Sequence, residues 1–182
     1  MTNNPLLQLK DLGQSLWLDY VQRQLLSSGE LARMIAADGL AAVTSNPSIF
    51  QQAIVGHDEY REDVAELIAR GADVLEMYHD LITRDIVLAA DVLRTVYETS
   101  GARDGYVSIE VSPHLAYDAE GSIAEGRKLW MRLARPNVMI KVPATPQGIP
   151  AIETLIGEGI NINVTLMFSL KHYDETANAY IS

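Results

Sequence analysis

Lys141 stands in Val138-Met139-Ile140-Lys141-Val142, a run that is otherwise apolar. An ammonium group withdrawn from water must be paired with an anion or give up its proton, because burial disfavours the charged form. The neutral amine is a nucleophile toward carbonyl carbon. Two carboxylates occur in comparable runs, Asp19 in Leu16–Tyr20 and Glu110 in Tyr106–Val111. Two carboxylates near one amine can divide acid from base work if their surroundings separate their pKa values. Simple charge balance for Lys141 is the alternative. Asn46, Asn163 and Thr165 are neutral groups suited to polyol hydroxyls or an ordered water, and equally to filling a polar interior. The chain has no cysteine, which excludes a thiol nucleophile, a disulfide framework and a Cys-based metal site. Its four histidines, at 57, 79, 114 and 172, lack metal-site spacing. His57 and His172 are expected on exposed helical surface. His114, just past Ser112-Pro113, is expected either at the rim of a site or in an ordinary loop.

These residues need a scaffold that turns them to one side. Five β-like runs alternate with helical stretches: Leu16–Tyr20, Ala41–Asn46, Tyr106–Val111, Val138–Val142 and Ile160–Leu166. Side chains alternate faces along a strand. Lys141 therefore shares a face with Met139 and opposes Ile140 and Val142. By the same rule Glu110 goes with Ser108, Asp19 with Trp17, Thr44 with Asn46, and Thr165 with Asn161 and Asn163. An antiparallel sheet with one face in water would also alternate in this way. Intervening helices argue instead for parallel strands whose apolar face is covered. An open doubly wound sheet and a barrel both remain compatible with that pattern. The polar groups sit toward the C-terminal ends of their runs, where barrel active sites are built.

Several helix boundaries are legible. Ser27 with Glu30, and Ser122 with Glu125, have the spacing of capping boxes. Gly39 is placed to end the first of these helices and Pro136 to stop the second. The stretch from Asp58 to Tyr97 reads as two or three helices, broken near Gly71 and near Thr83. Pro150 opens a short helix that closes at Gly157 or Gly159. A last helix begins near Ser169 and still runs at Ser182. No linker composition divides the chain, so residues 1–182 read as a single domain.

Two segments carry a specific resemblance. Val43-Thr44-Ser45-Asn46-Pro47-Ser48-Ile49-Phe50 and Val138-Met139-Ile140-Lys141-Val142-Pro143-Ala144-Thr145, followed by Gly148, are similar to the two signatures of the transaldolases. Trp17-Leu18-Asp19-Tyr20, Ser108–Pro113 and Asn163–Ser169 match as well. The resemblance runs over essentially the whole chain. Its phrasing is nearest the longer bacterial transaldolases, a branch that includes fusions to glucose-6-phosphate isomerase. It implies a (β/α)8 TIM barrel, with about the first five βα units present. It also implies that Lys141 forms a Schiff base with a keto sugar phosphate, Asp19 takes the proton of the C4 hydroxyl, and Glu110 with Thr165 holds a relay water. Asn46, Asn163 and Thr44 would bind hydroxyls of the transferred dihydroxyacetone unit. The implied reaction belongs to the pentose phosphate pathway and uses neither metal nor cofactor.

A full barrel takes eight βα units and about 250 residues. Against that measure this chain is expected to be the N-terminal part of a transaldolase. Strands six to eight would be missing, along with the Ser and Arg that bind the substrate phosphate in the family. An open edge on the fifth strand makes self-association an expectation.

The other classes are weighed on composition. A net charge of −10 provides no basic footprint for nucleic acid. No apolar run approaches a membrane span, and the first residues lack a signal-peptide pattern. The cytoplasm is therefore the expected compartment. Two further readings stay open: a Schiff-base aldolase that releases dihydroxyacetone, and a non-catalytic flavodoxin-like binding module. Against the second, Val21-Gln22-Arg23-Gln24-Leu25 after the first strand is no Gly-rich phosphate loop.

Overall fold

The computed structural model describes residues 4–182. Its strands are β1 (Leu16–Asp19), β2 (Leu40–Thr44), β3 (Val107–Glu110), β4 (Val138–Pro143) and β5 (Ile162–Thr165). All five expected strands are present, with ends moved by one or two residues. Their order in the sheet is β1-β2-β3-β4-β5. A flavodoxin-like sheet would reverse direction after its first strand, giving the order 2-1-3-4-5. Chain order throughout excludes that arrangement and is the order of successive βα units of a TIM barrel. The chain divides into two compact units, one up to Val107 and one from Ser108.

In the first unit β1 and β2 pair in parallel, with Leu18 opposite Val43 and Asp19 opposite Thr44. The chain approaching β3 joins β2 through Gly105 N–H to the Ala41 carbonyl (2.7 Å) and Val43 N–H to the Tyr106 carbonyl (2.9 Å). Two helices connect β1 to β2: α2 (Arg23–Ser27) and α3 (Glu30–Asp38), preceded by α1 (Pro5–Asp11). Gly39 ends α3 at φ 72°, as expected of a left-handed cap. The Ser27–Glu30 box does not form. Ser27 closes α2, Ser28 Oγ accepts the Glu30 N–H (3.3 Å), and the Glu30 carboxylate turns to Arg33 instead.

After β2 come α4 (Pro47–Gly56), a 3-10 turn (Asp58–Tyr60), α5 (Arg61–Ala69) and the long α6 (Val74–Thr99). The break near Gly71 is real: Gly71 has φ 75°, and its N–H and that of Ala72 close back on the Ile68 and Leu67 carbonyls. Asp73 and Glu76 then cap α6 reciprocally. Thr83 is no break, because its hydroxyl donates to the His79 carbonyl (2.6 Å) and is satisfied inside the helix. Ile82, Ile86, Ala89 and Leu93 make the buried stripe of α6, at the spacing that keeps one helical face turned to a core.

Asp85 lies in that stripe and is fully buried. Its carboxylate accepts from Tyr60 Oη (2.6 Å) and from Arg23 Nε. Burial pushes the Asp85 carboxyl above its ordinary range, against those two bonds and the Arg23 charge, which pull it down. Burial likewise raises the Tyr60 phenol.

In the second unit a 3-10 turn (Pro113–Leu115) and α7 (Ala119–Leu133) lead from β3 to β4, α8 (Gly148–Gly157) leads to β5, and α9 (Leu170–Ile181) follows. β4 and β5 pair in parallel, with Lys141 opposite Asn163 and Pro143 opposite Thr165. The Ser122–Glu125 box is also replaced. Asp118 caps α7 through the Gly121 N–H (3.0 Å), one turn before Ser122, whose hydroxyl donates to the Leu115 carbonyl. Asn161, expected on the polar face, instead pins β5 to β4 through the Pro136 and Val138 carbonyls. Ser169 caps α9 at the His172 N–H, as its position suggested. His57 and His114 are exposed, whereas His172 is half-buried and its Nδ1 has no hydrogen-bond partner.

α7 ends on Ala134, an exposed residue at φ 47°, ahead of Pro136. A left-handed conformation strains any side chain that has a Cβ. Ala134→Gly is expected to stabilise the fold by about 1 kcal/mol, read as a rise in thermal midpoint. A midpoint that falls would show that the unfolded-state entropy of glycine outweighs the relief.

Candidate active site

The second unit assembles the nucleophile and one carboxylate. Along β4, Val138, Ile140 and Val142 are fully buried, whereas Met139 and Lys141 are only partly so. α7 and α8 pack on β4, and a Cβ added at Gly126 of α7 would lie 2.8 Å from Leu155 of α8 and 3.7 Å from Ile140. The apolar face is thereby spoken for, and Lys141 must use the other. Its side chain is 12% exposed and that of Glu110 16%. Neighbouring placement comes from the backbone: the Val111 N–H donates to the Lys141 carbonyl (3.1 Å), which sets the end of β3 against the middle of β4. Lys141 Nζ then lies 3.7 Å from Glu110 Oε2, an ion pair longer than a hydrogen bond.

Asn163, opposite Lys141 in the β4–β5 register, donates through Nδ2 to the Ser108 hydroxyl (3.0 Å). Ser108 is fully buried. The pair forms a polar layer one step below Glu110, and it orients the Asn163 amide. Thr165 stands two residues on, at the C-terminal end of β5. Glu110, Lys141, Asn163 and Thr165 therefore occupy adjoining strands of one unit.

The loops beyond these strands are tied down. The Ser112 N–H donates to Glu125 of α7 (2.8 Å), so the expected capping residue instead holds the exit of β3. Thr145 Oγ1 donates to the Ala116 carbonyl and accepts the Gly148 N–H (2.9 Å). Gly148 begins α8 pressed onto the end of β4, and a Cβ there would lie 1.9 Å from the Pro143 carbonyl oxygen.

The first unit holds the remaining expected residues. Asp19 ends β1, exposed, beside Thr44 at the end of β2. Asn46 lies past the strand rather than on it. It caps α4, with Oδ1 accepting the Ile49 N–H (3.0 Å). Arg23, Tyr60 and Asp85, four to sixty-six positions beyond Asp19, were not among the expected site residues. The signal available in the sequence was an acidic residue at a core-facing position of an apolar helix. Among the described residues no group of three or more His, Asp or Glu is placed to hold a metal. No described helix is long and apolar enough to cross a membrane.

A lysine and a carboxylate on the polar side of adjoining strands, with the opposite side covered by helices, is an arrangement that successive βα units of a barrel produce. The sequence pattern of the Transaldolase/Fructose-6-phosphate aldolase family matches residues 16–182. The chain belongs to that family. It is similar to Transaldolase 2 of Nostoc punctiforme, 45% identical over 181 residues, which is all of this chain and 48% of the relative. Transaldolase of Thiobacillus denitrificans is 51% identical over 170 residues, 93% of this chain and 47% of the relative. Transaldolase 1 of Streptomyces avermitilis is 50% identical over 175 residues, 96% and 46% respectively. The chain spans about half the length of the curated relatives it matches.

Gly148→Ala is expected to cost about 1–3 kcal/mol, the range for forcing extra atoms into a packed site. Chemical denaturation checks this. An unaltered midpoint would mean that the turn after β4 yields without loss.

Proposed function

We propose that the protein is a transaldolase, moving a dihydroxyacetone unit from a ketose phosphate to an aldose phosphate through a Schiff base on Lys141. The observation that carries this reading is the half-buried Lys141–Glu110 pair at 3.7 Å, in a chain whose family match covers residues 16–182. With sedoheptulose 7-phosphate, Lys141 Nζ adds to the C2 carbonyl and water leaves, giving a protonated imine. Asp19 takes the proton from the C4 hydroxyl, and the C3–C4 bond breaks. The bonding pair flows into the imine as an enamine, and erythrose 4-phosphate departs. The enamine C3 then attacks the aldehyde carbon of glyceraldehyde 3-phosphate, whose oxygen is protonated in turn. Hydrolysis of the new imine frees fructose 6-phosphate and restores Lys141. The protonated imine is itself the electron sink, so the scheme calls for no cofactor.

Glu110 and Thr165 are assigned the water that carries protons during imine formation and hydrolysis. Asn163 is assigned the dihydroxyacetone hydroxyls, for which its bond to Ser108 holds it ready. Thr44 and Asn46 share that task. Because the α4 cap occupies Asn46 Oδ1, its Nδ2 is the atom assigned to substrate. The pentose phosphate pathway, and with it the cytoplasm, is the corresponding setting.

Release of dihydroxyacetone to water is the second reading, since the family's description names an aldolase beside the transaldolases. The relatives named above, all transaldolases, favour transfer.

Borohydride reduction of the full-length protein with fructose 6-phosphate, followed by peptide mapping, tests the lysine. Label is expected on the peptide containing Lys141 and none after Lys141→Met, with activity lowered by at least about 10³-fold, as for loss of a nucleophile. Label on another lysine refutes the assignment. Product formed at the same rate with and without an aldehyde acceptor would replace transfer by release.

A further inference from the structure

β1 is only four residues long, none of them fully buried, and it ends on exposed Asp19. Side-chain burial therefore contributes little to holding that end. The chain beyond it is held much more firmly. Val21 is fully buried and Gln22 nearly so, with the Tyr20 hydroxyl bonded to Gln22 Oε1. Arg23, at the start of α2, is then fastened from three sides. Its backbone N–H donates to Tyr60 Oη (3.1 Å), Nε to Asp85 Oδ1, and Nη1 to Asp63 Oδ2 (2.8 Å). Tyr60 Oη in turn donates to Asp85 Oδ2 (2.6 Å), Arg84 holds the other oxygen of Asp63 (2.8 Å), and the Arg23 guanidinium lies over the Tyr60 ring at 4.9 Å.

Stability is a poor reason for this cluster. Removing ions from water is costly, and apolar residues of similar volume often hold elements together equally well. The cluster is also incompletely satisfied: Arg23 Nη2 and Gln22 Nε2 are buried with no hydrogen-bond partner. What directional bonds provide, and apolar packing does not, is a defined position for the backbone that follows β1.

We infer that the Arg23–Tyr60–Asp85 cluster is a positioning device for Asp19, fixing the loop after β1 and with it the carboxylate assigned to take the C4 proton. Arg23, Tyr60 and Asp85 are positioning residues in this assignment and touch no substrate. The inference rests on the reading of Asp19 as the proton acceptor given above. It predicts a selective defect. Imine formation on Lys141 precedes any need for Asp19, whereas cleavage of C3–C4 requires it.

The test compares Tyr60→Phe, Arg23→Lys, Asp85→Asn and Asp19→Asn in the full-length protein. Fructose 6-phosphate is the donor and an aldose phosphate the acceptor. Tyr60→Phe removes one hydroxyl from the cluster and leaves the ring in place, so it keeps the test decisive if Asp85→Asn does not fold. The expected loss in kcat is about 10- to 100-fold, the scale for misplacing a reacting group by about an ångström. KM for the ketose phosphate should change much less. Borohydride should still label Lys141 in these variants, but the adduct should shift from the three-carbon unit toward the intact six-carbon phosphate, because cleavage has become slow. Tyr60→Phe should add little to the loss already caused by Asp19→Asn.

Unchanged kcat in Tyr60→Phe and Arg23→Lys overturns the inference. Equal loss of labelling, activity and thermal midpoint also overturns it, as that is the mark of a merely structural cluster. If instead Asp19→Asn cleaves as fast as the parent, or the parent is not labelled at Lys141, the reading beneath the inference has failed.

Discussion

The arrangement depends on one constraint: a strand covered by helices has only one face left for ionisable groups. In β4 the helix-facing positions, Val138, Ile140 and Val142, are sealed. Turning Lys141 inward by a one-residue slip would bury its ammonium among those side chains and expel Ile140 or Val142 from them. Such a slip exchanges every residue between faces at once, so the register is strongly specified. Once β4 is set, the bond from Val111 to the Lys141 carbonyl sets Glu110, and the β4–β5 register sets Asn163 and Thr165. The polar row in the second unit is thus a consequence of apolar packing on the far side of the strands.

The two charge clusters are held in different ways. Lys141 and Glu110 are near enough to attract but too far apart for a direct hydrogen bond. The cluster of Arg23, Tyr60 and Asp85 is held by several directional bonds. Its members are locked, which suits a part that fixes the backbone and is unsuited to a part that reacts. Position in the fold agrees with this division: the loose pair sits on strand faces, and the tight cluster lies between helices and the loop behind β1.

Features that repeat along the chain were legible in the sequence. The five strands and the facing of Lys141 and Glu110 follow from alternation alone, and Gly39 and Gly71 mark helix ends because the turn needs a positive φ. Features settled by competition were not. Ser122 with Glu125 satisfies the capping pattern as well as Asp118 does, yet Glu125 is drawn away by the Ser112 N–H thirteen residues earlier. Ser27 loses its role because α2 extends to include it. Thr83 resembles a helix breaker only until its hydroxyl is seen to bond within the helix. Asp85 is the furthest from view: it reads as one more charged helical residue, and its burial depends on Arg23, sixty-two positions away.

The close fit at Gly148 bears on how the molecule breathes. The first residue of α8 rests against the last carbonyl of β4 with no room for a side chain between them, and Thr145 fastens the intervening turn to Ala116. A strand and helix in such contact cannot open one after the other, since lifting the helix breaks the turn that ends the strand. β4 and α8 should then belong to one cooperative unit in native-state hydrogen exchange, with amides near Lys141 and amides of the first α8 turn sharing an opening free energy. The strand carrying Lys141 would accordingly open only together with the helix that follows it.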